Sequence, residues 1–339
     1  MPKHVIVIGA GPAGLETSAN LAKLGIAVTL VEKEESTGGH VKQWHALFPA
    51  LLPGTEALDA IRKGMPENVR VQNKTTVTGI EAVNNYFTVS GHNGWQEKAD
   101  AIVFATGFQL FDARRKEEYG YGIYENVITS ADLEEMFATG KSLVNRHGNK
   151  PERIGFVHCV GSRDEKVNNL HCSKVCCITA VKQAIEVKQM LPEAEVFCFY
   201  MDLRMFGRHY EELYKEAQEK YNIQFIRGRL SESAEDQDGN IVLKVEDTLL
   251  GKPLRIKAGL LVLMVGMEPL AGTKSLADKL GLTKVPDGFI QPADEVLQSN
   301  FTELPGVFVA GACSGPKSVS DTLADARSAA LAVAGFLKL

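Results

Sequence analysis

Residues 4–33 read HVIVIGAGPAGLETSANLAKLGIAVTLVEK, and this stretch decides the fold. His4 to Ile8 is a short apolar run of strand length. Pro12 to Leu24 has apolar residues at helical spacing and opens on proline, the residue best suited to a first helical turn. Ala27 to Glu32 is a second apolar run. Strand, helix and strand in this order imply a parallel sheet with a right-handed crossover. Between the first strand and the helix, Gly9-Ala10-Gly11-Pro12-Ala13-Gly14 fits G-x-G-x-x-G. The first glycine allows a tight turn, the second lets a pyrophosphate approach the backbone, and the third lets helix and strand pack closely. Glu32, with Lys33 after it, ends the next strand 18 residues beyond Gly14, where a carboxylate binds ribose hydroxyls. The pattern predicts a dinucleotide site.

Working outward, three features favour FAD over NAD there. Gly38-Gly39 follows Glu32 closely, as in flavoproteins with two dinucleotide-binding domains. Ala105-Thr106-Gly107 resembles the ATG motif of those proteins, and GVFVAG at 306–311 resembles their late FAD-contacting strand. Thr76 and Val77 are expected beside the adenine. The wider superfamily ends its late strand with Gly-Asp; this chain has Gly311-Ala312-Cys313 instead. The next helix, expected to open near Lys317-Ser318, would aim its positive end at the flavin.

A second α/β pattern begins near Arg153 with RIGFVHCV, followed by a helix expected over Lys174–Met190 and a strand, EVFCFYM. GLLVLMVG at 259–266 mirrors the earlier AIVFATG. The predicted fold is therefore α/β, with two dinucleotide-binding-type domains. Residues 1–110 and 270–339 would form a discontinuous FAD domain. Residues 111–150 would be a linker or insert holding one helix, Ser130–Thr139, and 151–269 the second nucleotide-binding-like domain. The 339 residues suffice for two cores, and 23% charged residues argue against disorder. A net charge of -5 gives no reason to expect nucleic acid. The N-terminus lacks the apolar stretch of a signal peptide, and no run reaches the ~18 apolar residues of a membrane span. A cytoplasmic protein with no transmembrane segment is expected.

Where an NAD(P)H domain would carry glycines after its first strand, this chain reads His158-Cys159-Val160-Gly161-Ser162-Arg163, and then His171-Cys172-Ser173-Lys174-Val175-Cys176-Cys177. Three of the six cysteines fall within six residues, which points to metal or redox chemistry. Four thiolates close the coordination of a [4Fe–4S] cubane. Cys172 and Cys176 would share a helix face, Cys177 would bind from another direction, and Cys159 would reach in from the strand end. Structural zinc and a redox disulfide are the alternatives, although the C-x-x-C of thioredoxin-like motifs is absent. Cys198 reads as a buried, inert thiol, and His158 and His171 as neighbours of ligands.

These residues carry a specific resemblance. Cys159 with CSKVCCITAVKQ at 172–183 resembles the A-type subunit of heterodisulfide reductase. So do Gly38-Gly39-His40, YMDLR at 200–204, VEDTLLG at 245–251, VGMEP at 265–269 and GACSGPKSVSDT at 311–322. The likeness runs over nearly the whole chain, and the C-x12-C-x3-C-C spacing is its most specific part. It implies a thioredoxin-reductase-like flavoprotein fold, one FAD, one [4Fe–4S] cluster, a homodimer, and partners like the heterodisulfide reductase B and C subunits. It implies an electron-transfer role within a larger complex, with Lys182 approaching the flavin N5 side. The expected context is a short form as in sulfur-oxidising complexes, ahead of quinone-interacting complexes of sulfate reducers. A stand-alone NAD(P)H–disulfide oxidoreductase is the rival reading.

Overall fold

The computed structural model describes residues 3–84 and 86–338. The outermost positions of the expected FAD domain, 1, 2 and 339, lie outside the described residues. The chain forms two compact units. The first comprises Met1–Lys42, Gly54–Gln109 and Glu268–Leu339, and the second Gln43–Pro53 and Leu110–Met267.

In the first unit, five parallel strands lie in the order Val307–Val309, Ala101–Phe104, His4–Ile8, Ala27–Val31 and Arg70–Gln72. The central strand is fully sequestered, with Val5, Ile6 and Val7 at 0% exposure, which explains its unbroken apolar run. Each such side chain stabilises the fold by about 1.5–3 kcal/mol. The helices Pro12–Lys23 and Val319–Leu337 pack on this sheet and on each other. An antiparallel sheet of Val77–Val83, Tyr86–Gly91 and Gln96–Ala99 completes the unit.

The second unit repeats the plan. Its parallel strands run Val127–Thr129, Leu260–Val265, Arg153–Val160, Glu195–Tyr200 and Gln224–Arg227. Its antiparallel sheet is Leu230–Glu235, Ile241–Asp247 and Lys252–Ala258. The helix Cys176–Met190 is buried on nearly every side, so its apolar pattern is not one-faced.

The stretch 111–150, expected as a linker or insert, is built into this unit. It supplies the edge strand Val127–Thr129, which pairs with Leu261–Leu263, and the helix Ser130–Thr139. Lys116 is fully buried, its ammonium 2.7 Å from the Asp164 carboxylate. Its charges are in part internal ion pairs, since Lys116 also pairs with Glu118. Among the described residues no helix is long and apolar enough to cross a membrane.

Candidate functional site

Four of the five parallel strands of the first unit lead, at their carboxyl edge, into residues singled out by sequence. Gly9 follows His4–Ile8, Glu32 follows Ala27–Val31, Ala105-Thr106-Gly107 follow Ala101–Phe104, and Gly311-Ala312 come just after Val307–Val309. Open α/β sheets bind ligands at that edge. Thr76 and Val77 lie just beyond Arg70–Gln72; Thr76 is exposed, its amide bonded to His92 Nδ1 at 3.1 Å, and Val77 is buried. The Glu32 carboxylate is buried and accepts the amides of Ala10 at 2.8 Å and Glu34 at 2.9 Å, tying the glycine turn to the second strand. Lys33 points to solvent beside Glu34.

The turn discriminates between its glycines. A Cβ on Gly14 would lie 1.8 Å from the Gly9 carbonyl oxygen, so contact between strand and helix forbids a side chain there. A Cβ on Gly11 would meet only Gly39 Cα, at 4.0 Å. Packing within the unit therefore does not demand glycine at 11, and the space beside it is open. Gly11 is also the N-cap of the helix Pro12–Lys23 and offers no capping side chain, so the amides of Ala13 and Gly14 in the first turn are available to an anion. Gly38 donates to the Ala10 carbonyl at 2.7 Å, and His40 stacks on Phe108 and bonds its carbonyl at 3.0 Å.

At the late strand, Asp325 accepts the Gly311 amide at 2.6 Å, and Lys317 donates to the Gly311 carbonyl at 3.1 Å and to Ser314 at 2.9 Å. Sequence reasoning missed Asp325, which reaches the glycine from the following helix rather than from the next position. That helix begins at Val319, and Ser318 caps it in a box with Asp321. The Asp321 carboxylate offsets the positive end that sequence reasoning aimed at a flavin.

The second unit places different chemistry at the corresponding turn. In its central strand Arg153–Val160 the next-to-last residue, Cys159, takes left-handed backbone (φ 59°), and a long loop leads to the helix Cys176–Met190. A non-glycine residue in that conformation costs about 1–3 kcal/mol, held by its surroundings. Cys159, Cys176 and Cys177 are buried and meet. The Cys176 thiol sits between the other two and keeps its proton, its acidity well below the usual range. Its hydrogen bond draws Cys159 down to about 7 against the cost of burial. The same donor, with the His158 imidazole adding to it, draws Cys177 down to about 4. The uncapped helix N-terminus favours negative charge at the same spot. Thiolate, the form that ligates metal, is thus favoured at two of three positions.

Cys172 was expected to share a helix face with Cys176, and it does not. The helix starts only at Cys176, because Lys174 takes a left-handed conformation (φ 61°) that breaks the helical path. Cys172 lies on the loop, half-buried, its sulfur accepting the Lys174 amide at 3.3 Å. Among the described residues no three His, Cys, Asp or Glu side chains are grouped to hold a single metal ion. Arg163, paired with Asp202 at 2.7 Å, adds positive charge near Cys159. His171 bonds the Met267 carbonyl at 2.8 Å. Burial raises the thiols of Cys198 and of Cys313, the latter to about 11, which makes both inert.

Lys182 was expected to face a flavin. Its side chain is instead buried in the second unit, where the ammonium bonds the Ala46 carbonyl at 3.0 Å and Glu134, and lies 3.1 Å from Glu186. Its hydrogen bonds go to Ala46 and Glu134, and Glu186 is an ion-pair neighbour only. Glu134 and Glu186 escaped sequence reasoning, since an acid on a helix normally reads as solvated surface.

The family model for pyridine nucleotide-disulphide oxidoreductases matches residues 2–143 and 178–330. The stretch outside it, 144–177, contains Cys159, Cys172, Cys176 and Cys177. A Methanococcus maripaludis protein, the A-type subunit of an H(2)/formate:CoB-CoM heterodisulfide,ferredoxin reductase, is 34% identical over 98% of this chain and 64% of its own length. A Methanocaldococcus jannaschii protein, the A-type iron-sulfur subunit of CoB--CoM heterodisulfide reductase, is 44% identical over 70% of this chain and 37% of its own. The chain therefore spans less than two thirds of these relatives. Lactococcus lactis thioredoxin reductase has a similar fold, with a TM-score of 0.70, 20% identity, and coverage of 99% of this chain and 100% of that one.

Proposed function

The chain belongs to the pyridine nucleotide-disulphide oxidoreductase family and is a flavin-dependent oxidoreductase, and from that premise we propose that it is an electron-transfer subunit holding FAD and one [4Fe–4S] cluster. When bound, FAD exchanges electron pairs and the cluster single electrons. The observation that carries this reading is the exchange of a glycine turn for cysteines. The strand–turn–helix that cradles a dinucleotide in the first unit recurs in the second with Cys159, Cys176 and Cys177 at its turn.

The residues divide the work. The amides of the first turn of Pro12–Lys23 hold the pyrophosphate, Gly11 leaves it room, and Glu32 orders the glycine turn and receives the ribose. Gly38, Gly39, His40, Thr76, Val77, Ala105, Thr106, Gly107, Ala312, Lys317 and Ser318 complete the surround. Lys317 and Asp325 fix the Gly311 turn. In the second unit, Cys159, Cys176 and Cys177 supply three cluster ligands and Cys172 the fourth. Cys172 would do so from the loop that precedes the helix. A cubane takes one thiolate per iron, so its ligands need not share one ion position. Arg163, His158 and the helix N-terminus offset the charge of the thiolates.

The relatives are named as A-type subunits, which supports other subunits as partners; the sequence resemblance points to B- and C-type subunits and a second copy of this chain. Cytoplasmic sulfur oxidation is the context the sequence resemblance favours. The test is substitution of Cys177 and of Cys172 by alanine, each followed by iron and flavin analysis. Both variants are expected to lose iron and keep FAD. Unchanged iron in either overturns the ligand assignment.

A further inference from the structure

The helix Cys176–Met190 carries cysteines at its first turn and, two to three turns on, Lys182, Gln183 and Glu186, all buried. Two carboxylates, Glu134 and Glu186, flank the one ammonium of Lys182. Their bonding is unequal. Glu134 is saturated: Oε1 accepts from Lys182 and from Gln183 Nε2 at 2.8 Å, and Oε2 accepts the His45 amide at 3.0 Å. Glu186 Oε2 lies 3.1 Å from the Lys182 ammonium but makes no hydrogen bond. One turn away, Gln183 Oε1 is a second buried acceptor with no donor. Two buried acceptors without a donor are costly, because each has given up its bonds to water for nothing in return. One proton on Glu186 leaves one positive charge, on Lys182, facing one negative charge, on Glu134.

His45 lies between Glu186 and solvent. Its Nε2 is 3.9 Å from Glu186 Oε1, a gap for one intervening water or a turn of the ring, and its side chain is 49% exposed while that of Glu186 is 8% exposed. The charged and titratable groups facing Glu186 are Lys182 on its own helix, Glu134 from Ser130–Thr139, and His45 from the segment 43–53.

We propose that Glu186 is a redox-linked proton site, loaded from solvent through His45 when an electron enters at the cysteine end of the same helix. The step balances: an external one-electron donor reduces the protein, a proton passes from water to the His45 imidazole and on to the Glu186 carboxylate, and the buried charge is unchanged. Reoxidation releases both. Burial, opposed by Lys182, raises the Glu186 carboxyl to about 7, which poises it for exchange near neutrality. Glu186 stands nine residues past Cys177, roughly 13 Å along the axis at about 1.5 Å per residue. At an effective dielectric constant of about 20, one added charge at that distance raises a carboxyl by about one pH unit.

The inference rests on the cluster reading, so the experiment separates the two. Purified wild type and Glu186→Gln are titrated with pH by infrared difference spectroscopy, oxidised and after reduction with dithionite, with iron and flavin measured in each sample. The expected result is a protonated-carboxylic-acid band in the wild type, absent from Glu186→Gln, whose midpoint moves up by about one pH unit on reduction. His45→Ala is expected to keep the band and slow its deuterium exchange severalfold. A band that survives in Glu186→Gln, or a midpoint that ignores reduction in protein with a full iron content, overturns the proton site. Protein that binds FAD but no iron overturns the cluster reading, and is seen in the metal analysis rather than in the spectrum. If Glu186→Gln does not fold, Glu186→Asp serves, with a shifted band expected and an unshifted one contradicting the assignment.

Discussion

Glu186 shows how burial turns an ordinary acid into one that titrates near neutrality. Its carboxyl is raised from 4.5 to about 7, first by desolvation and against the pull of Lys182. The folded protein therefore holds a proton that the unfolded chain releases between those values. Folding loses free energy as pH rises through that window, and the loss persists above it, up to roughly 3 kcal/mol. Glu186→Gln removes the penalty. Its melting temperature relative to wild type is expected to rise between pH 5 and pH 8; parallel curves contradict this account. At this scale the sequence was uneven. Glu32 was legible because its distance from the glycine turn is set by one helix and one strand. Lys182 and Glu186 were not, because nothing local tells a buried helix face from a wet one. The helix-face pairing of Cys172 with Cys176 failed on a single left-handed residue, Lys174.

Among the elements, the turn from His4–Ile8 into Pro12–Lys23 separates folding from binding. Gly14→Ala forces a methyl into the Gly9 carbonyl and is expected to destabilise the protein by about 1–3 kcal/mol, measured by denaturant unfolding of flavin-free protein. Gly11→Ala meets no such obstacle, so flavin-free stability is expected to change little. FAD affinity should instead fall by roughly tenfold, the scale of one weakened bond to a charged group. Equal effects of both substitutions on stability would refute a phosphate role for Gly11. The central strands of both parallel sheets and the helices Pro12–Lys23, Cys176–Met190 and Val319–Leu337 were readable from their apolar spacing, and Ser130–Thr139 was found to the residue because a capping box and Gly140 mark its ends; the helices Gly54–Lys63, Tyr210–Glu219 and Ala271–Lys279 were not found. The edge strand Val127–Thr129 was missed, since three residues beside many charges carry no periodicity of their own.

For the whole molecule, two α/β units of one plan are given different tasks at the same topological position: a glycine turn in one, cysteines in the other. Duplication of the plan was legible from the echo of AIVFATG in GLLVLMVG. The inclusion of 111–150 in the second unit was not, because it depends on long-range pairs such as Lys116 with Asp164. The central claim is that the cysteine turn holds a four-iron cluster alongside a flavin-binding unit. Quantifying FAD, iron and acid-labile sulfide in anaerobically purified protein tests it most directly. About one FAD, four iron and four sulfide per chain are expected, with a paramagnetic signal on one-electron reduction. Stoichiometric FAD with no iron, or with zinc in its place, would contradict it.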